Sequence, residues 1–228
     1  MGNTFQDTIR RPASILELGG QRPPSDPMHS WFGKVSFCEP GEGWPMQDGV
    51  PMEALAQINV ASLLFTPPEL EDVEFIAIFI NSKELPYEQP NGVNWALRAY
   101  KDISKLVPLE QRHTETAIKS FPMFARSVTE DFPSWEDCVE SIPDEFEENY
   151  DEKFPTSEGF KIGGWPFLVQ SEIYWAPHNK HPASPRYVFQ IDSTDKGNWG
   201  WGDGGIGYFG RGTTEGHRDE WFLEWQCY

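Results

Sequence analysis

Apolar positions fall along this chain in short, strand-length bursts separated by glycine and proline. The clearest burst is Phe75-Ile76-Ala77-Ile78-Phe79-Ile80, six apolar residues in a row, as expected of a strand buried on both faces. Ala13-Ser14-Ile15-Leu16-Glu17-Leu18, stopped by Gly19-Gly20, predicts a strand inside a short leader, residues 4–28. The Arg22-Pro23-Pro24-Ser25-Asp26-Pro27 stretch that follows forbids regular structure, because its three prolines offer no N–H.

The pattern recurs. Ser30-Trp31-Phe32-Gly33-Lys34, Gln57-Ile58-Asn59, Phe75–Ile80 and Trp95–Tyr100 are followed in the second half, in the same order, by Phe160-Lys161-Ile162-Gly163-Gly164, Gln190-Ile191-Asp192, Gly205–Phe209 and Phe222–Tyr228. The offsets between matched residues are 130 (Gly33 to Gly163), 133 (Gln57 to Gln190), 130 (Phe79 to Phe209) and 128 (Tyr100 to Tyr228). This predicts two β-rich repeats of antiparallel strands, about 29–100 and 159–228, related by a pseudo-twofold within a single domain, 1–228. Gln57 and Gln190 sit inside apolar strands, so each side-chain amide is expected to tie neighbouring backbone.

Between the repeats, residues 101–158 read as a helical insert, which makes the expected fold class α+β. Leu109–Lys119 and Ser134–Ser141 are the predicted helices, the second with Ser134 as N-cap and Asp137 at the capping-box position. Pro108, Pro122, Pro133 and Pro143 keep the helices short.

Charge sharpens this picture. The chain carries a formal −18, and residues 127–158 hold twelve acids against Lys153 alone, a local −11. A net charge of that sign argues against nucleic-acid binding and against anionic membranes, and it favours either simple solubility, as a solvated face, or attraction to something basic such as a protein partner. The candidate partner-binding residues are Glu130, Asp131, Trp135, Glu136, Asp137, Glu140, Asp144, Glu145, Glu147, Glu148, Tyr150, Asp151 and Glu152. Among the nearby aromatics, Trp135, Phe146, Tyr150 and Phe154 are the candidate anchors.

Thirty-three aromatics and forty glycines plus prolines in 228 residues favour a folded chain of short strands and turns. Three cysteines, Cys38, Cys138 and Cys227, fit no disulfide framework and suggest a reducing cytosol. The start has no basic n-region followed by an apolar run, and Gln6 stands where a myristoylation motif wants Ser or Thr. A cytoplasmic protein is expected.

Candidate chemistry is sparse. Asp192, Asp195 and Asp203 lie in a Gly-rich stretch, Gln190 to Gly205, that resembles a hard-cation loop but lacks the bidentate glutamate and alternation of an EF-hand. Turn capping with Trp199 and Trp201 packed is the simpler reading. His178 and His181 sit three apart between prolines, with no adjacent cysteine or carboxylate for zinc. His29 beside Ser30 suggests a nucleophile in sequence only. No nucleophile elbow or phosphate loop is present, so no catalytic residue and no cofactor is expected.

Lys161-Ile162-Gly163-Gly164-Trp165-Pro166, Phe189-Gln190-Ile191-Asp192-Ser193, Trp201-Gly202-Asp203-Gly204-Gly205 and Gln226-Cys227 resemble, in this order, the motifs of the YwqG-like family. That bacterial family shows a Lys-x-Gly-Gly-x-Pro turn, a Gln-x-Asp-Ser strand, a Trp-Gly-Asp-x-Gly loop and a terminal Gln-Cys. Residues 30–100 match more loosely, with Gly33-Lys34 in place of the Gly-Gly turn. The resemblance implies a duplicated α+β fold. Some members look like immunity proteins encoded beside interbacterial toxins, including nucleases delivered by secretion systems.

Beside a structural or regulatory interaction module with no toxin, two more specific functions are therefore expected to compete. The first is a cytosolic, non-enzymatic immunity protein that occludes the basic substrate surface of a co-encoded nuclease toxin. The alternative is a small-ligand or metal-binding protein or enzyme with a site between the repeats, near Asp192, Asp195 and Asp203.

Overall fold

The computed structural model describes residues 4–112, 117–135, 137–138, 141–175 and 181–228. A short helix α1 (Phe5–Ile9), capped by Thr4 with Asp7, leads into β1 (Arg11–Leu18), β2 (Trp31–Phe32), β3 (Phe37–Cys38), β4 (Met46–Gln47) and β5 (Val50–Pro51). Then come β6 (Glu53–Asn59), β7 (Phe75–Ile80), β8 (Trp95–Tyr100), β9 (Val107–Pro108) and β10 (Phe121–Asp131). The chain ends with α2 (Asp144–Glu147), α3 (Tyr150–Lys153), β11 (Lys161–Gly163), β12 (Arg186–Asp192), β13 (Ile206–Arg211) and β14 (Trp221–Gln226).

Ten of these strands form one antiparallel sheet in the order β14-β13-β12-β11-β1-β10-β2-β6-β7-β8. Its middle is the β1–β10 ladder, with Ala13 opposite Val128 and Leu18 opposite Met123. On its other edge β1 pairs with β11, placing Ala13 opposite Gly163 and Ile15 opposite Lys161. The sheet curls into a nearly closed, barrel-like form. Trp95 of β8 meets Phe209 of β13 edge-on at 6.1 Å, and the Trp225 indole donates to the Pro86 carbonyl at 2.6 Å. Burial of apolar surface on both faces holds this shape. In β7, Ile76, Ile78 and Ile80 enter the interior core, whereas Phe75, Ala77 and Phe79 pack outward against Trp44, Tyr100 and Leu106. That two-sided burial is why the strand is apolar throughout.

This corrects the expected α+β fold of two repeats with a helical insert. The segments compared at near-constant offset are strands, but they are flanks of one continuous sheet, and the fold is mostly β. The supposed insert supplies β10, the longest strand of the sheet, so it cannot be a separate helical unit. Residues 109–112 and 117–119 carry no helix, and 113–116 lie outside the described residues. At Ser134 the anticipated bond does form, Asp137 N–H to Ser134 Oγ at 3.3 Å, but it closes a turn. In this segment helix appears instead as the single turns α2 and α3 and a 3-10 turn at Ile103–Lys105. Among the described residues no helix is long and apolar enough to cross a membrane.

Candidate functional site

The Lys161–Pro166 motif is built around a buried charge. Where β10 ends, Asp131 turns inward and meets the Lys161 ammonium of β11 at 2.9 Å, both side chains fully buried. The carboxylate also accepts from Ser157 N–H at 2.6 Å and Trp165 N–H at 2.7 Å, and Lys161 donates to the Ser157 carbonyl at 2.6 Å. Burial lowers the Lys161 pKa, and the Asp131 charge opposes that shift. Gly164, at φ +68°, lies so close that a side-chain carbon there would collide with Asp131 Oδ2. The Gly-Gly turn is thus explained by the clamp it closes.

The other motifs are also latches. Gln190 Oε1 accepts from Phe167 N–H at 2.9 Å, and its amide donates to Asp192 Oδ1 at 2.9 Å. Gln57 accepts from Ser36 N–H at 2.9 Å and donates to the His29 carbonyl at 2.7 Å. Gln226 accepts from Gln170 N–H at 3.1 Å and donates to the Ser171 carbonyl at 2.9 Å. In the Trp201–Gly205 loop, a side chain at Gly205 would strike the Gln226 and Trp201 carbonyls.

The three aspartates of that region do not converge. Asp192 turns inward, takes the Gly159 N–H at 2.7 Å, and is pushed up to about 6 by burial, with those hydrogen bonds opposing. Asp195 and Asp203 are exposed. Among the described residues no group of three or more His, Cys, Asp or Glu is arranged to hold a metal. His178 lies outside the described residues, and the His181 ring packs on Phe222 at 4.8 Å. His29 packs against Phe124 at 5.1 Å, and the Ser30 hydroxyl binds Asn59 N–H at 2.9 Å.

The acidic segment divides into inward and outward parts. Asp131 is spent in the clamp. Tyr150, 2% exposed, packs with Ile9, Phe132 and Phe154, while Phe146 lies half-buried at the edge of the cluster. Tyr150 Oη donates to the Pro133 carbonyl at 3.2 Å. These aromatics form a base under α2 and α3 rather than a contact surface. Asp144, Glu145, Glu147, Glu148, Asp151 and Glu152 all point to solvent. Glu130 is exposed and pairs with Arg10 at 3.2 Å. Trp135 remains 40% exposed over Tyr150, and Asp137 is half-buried. Glu136 and Glu140 lie outside the described residues. Lys153, the base of this segment, sits over the Phe146 ring at 4.9 Å.

A cavity of about 550 Å³ opens beside the clamp. Gly163, at φ +76°, leaves room for the Phe65 ring that forms one wall, and Ser14 Oγ fixes Phe65 by accepting its N–H at 2.7 Å. Trp165, Trp175 and Tyr187 form further walls, with Arg11, Arg186, Glu69, Asp137 and Glu172 supplying charge. Sequence reasoning missed this site because its lining comes from segments far apart in the chain. The Lys161–Pro166 motif was its one visible marker.

A comparison with curated proteins finds no match. Over residues 30–227 the chain matches the family described as Domain of unknown function (DUF1963), and it belongs to that family.

Proposed function

We propose that this chain is a YwqG-like, cytoplasmic immunity protein that binds a co-encoded interbacterial toxin, a nuclease, and occludes its basic substrate surface. The observation that carries the reading is the set of six outward carboxylates on α2, α3 and the residue that ends α2: Asp144, Glu145, Glu147, Glu148, Asp151 and Glu152. Their helices are pinned from below by Ile9, Phe132, Tyr150 and Phe154. Charges held on a packed base lose little freedom when a partner docks. A nuclease must present cations to phosphate, so the same carboxylates both steer encounter and compete for that groove. Trp135 is the exposed aromatic anchor beside them.

The test is the triple variant Glu145→Lys, Glu148→Lys, Glu152→Lys, titrated against the toxin encoded next to this gene. Affinity falls by roughly 100-fold or more, as reversal of close interfacial charges requires, with the unfolding midpoint unchanged. Unchanged affinity would remove α2 and α3 from the interface.

A further inference from the structure

We propose that the cavity between the Gly163–Pro166 turn and Phe65 is a binding site for a small molecule with one carboxylate and a flat apolar body. Of the candidate partner-binding residues only Asp137 lines it; α2 and α3, on which the toxin-binding reading rests, do not. At about 550 Å³ its volume lies within the range of small-ligand sites, roughly 300–1,000 Å³. Phe65, Trp165, Trp175 and Tyr187 give it broad apolar walls suited to a planar ring.

Two of its donors, the Arg11 guanidinium and the Trp175 indole N–H, have no hydrogen-bonded acceptor among the described residues. The Arg11 guanidinium lies 3.3 Å from the centroid of the Trp165 ring and makes no ion pair or side-chain hydrogen bond among the described residues. Arg11 stays exposed as a residue, yet desolvation of the packed guanidinium lowers its pKa, with the charges of Glu69, Asp137 and Asp131 opposing and that of Arg186 adding to the shift. Arg186 approaches Glu69 no closer than 3.8 Å. Trp175 is 1% exposed, and its indole N–H has no acceptor among the described residues. A buried donor without an acceptor costs about 1–3 kcal/mol, and a guanidinium is best matched by a carboxylate taken bidentately. Glu69, Asp137 and Glu172 also line the cavity. Three carboxylates repel a polyphosphate while tolerating a single negative charge held on Arg11.

The probe pair is indole-3-acetate and its uncharged isostere indole-3-acetamide, with ATP as the polyanion, measured on the full chain by calorimetry and thermal unfolding. The acid is expected to bind and raise the unfolding midpoint, as ligands of the native state do. The amide binds at least about tenfold more weakly, the loss of one charge-assisted contact, and ATP does not bind. Arg11→Gln removes the preference for acid over amide, and Trp175→Phe, which stays aromatic but is smaller and loses the donor, weakens both probes. Equal binding of acid and amide, tighter binding of ATP, absence of a shift with any probe, or an unaltered preference in Arg11→Gln each overturns the proposal. Arg186→Gln, at an exposed position, supplies a second charge deletion if Arg11→Gln does not fold.

Discussion

Asp131 and Lys161 show how strongly one residue pair can constrain this fold. Removing both charges from water is costly, and the pair is kept only because Ser157 N–H, Trp165 N–H and the Ser157 carbonyl complete its hydrogen bonds. Deleting one partner strands the other. Asp131→Asn and Lys161→Met are each expected to cost about 3–5 kcal/mol in urea unfolding, and the double variant less than their sum, because the two act as one unit. Asp192 behaves differently. Its folded pKa, raised by burial to about 6, exceeds its unfolded value, so the folded state prefers the protonated form. That contribution is complete below about pH 4 and is lost as pH rises through about 6. Two pK units correspond to roughly 3 kcal/mol. Stability measured from pH 4 to 7 should therefore fall on this account, and Asp192→Asn should flatten the slope.

The strands were legible where burial is two-sided or where a glutamine interrupts an apolar run. Phe75–Ile80 reads as β7 because both its faces are covered, and the recurring Gln-Ile pairs mark β6 and β12. The β1–β10 ladder was not legible. Four of the eleven residues of its long strand, Arg126, Ser127, Thr129 and Glu130, are exposed, so the apolar period that announces a strand is diluted. Among the described residues neither predicted helix forms, because a capping bond such as Ser134 to Asp137 also closes an isolated turn, and helix nucleation gains nothing without following residues to propagate it. The glutamine latches can be tested directly. Gln57→Leu and Gln190→Leu each strand a backbone N–H, of Ser36 and of Phe167. Each should cost about 2 kcal/mol, read as a lower denaturant midpoint with an unchanged m-value.

Taken over the entire molecule, the charge of −18 is unevenly placed, and its uneven placement is what the sequence could show without any fold. The cavity could not be read that way, because it exists only once Arg11, Phe65, Trp175 and Arg186 are brought together by the curled sheet. The charge, by contrast, makes a prediction that does not depend on the identity of the proposed partner. Asp144→Asn, Glu145→Gln, Glu147→Gln and Glu148→Gln together remove four of the exposed carboxylates of α2 and its edge. None of the four belongs to the apolar base formed by Ile9, Phe132, Tyr150 and Phe154. Relief of self-repulsion and loss of favourable charge at the first turn of α2 oppose each other. Stability should therefore move by no more than about 1 kcal/mol, since surface substitutions away from buried features are small. Association with a basic partner should respond far more. Its rate constant at low salt falls by about tenfold, and the difference between variant and native chain closes as ionic strength rises and the Debye length shrinks below the separation of the charges. Stopped-flow association at several salt concentrations reads this directly. A rate deficit that persists at high salt would mean that these residues act through shape rather than field, and that the acidic face is not an electrostatic guide.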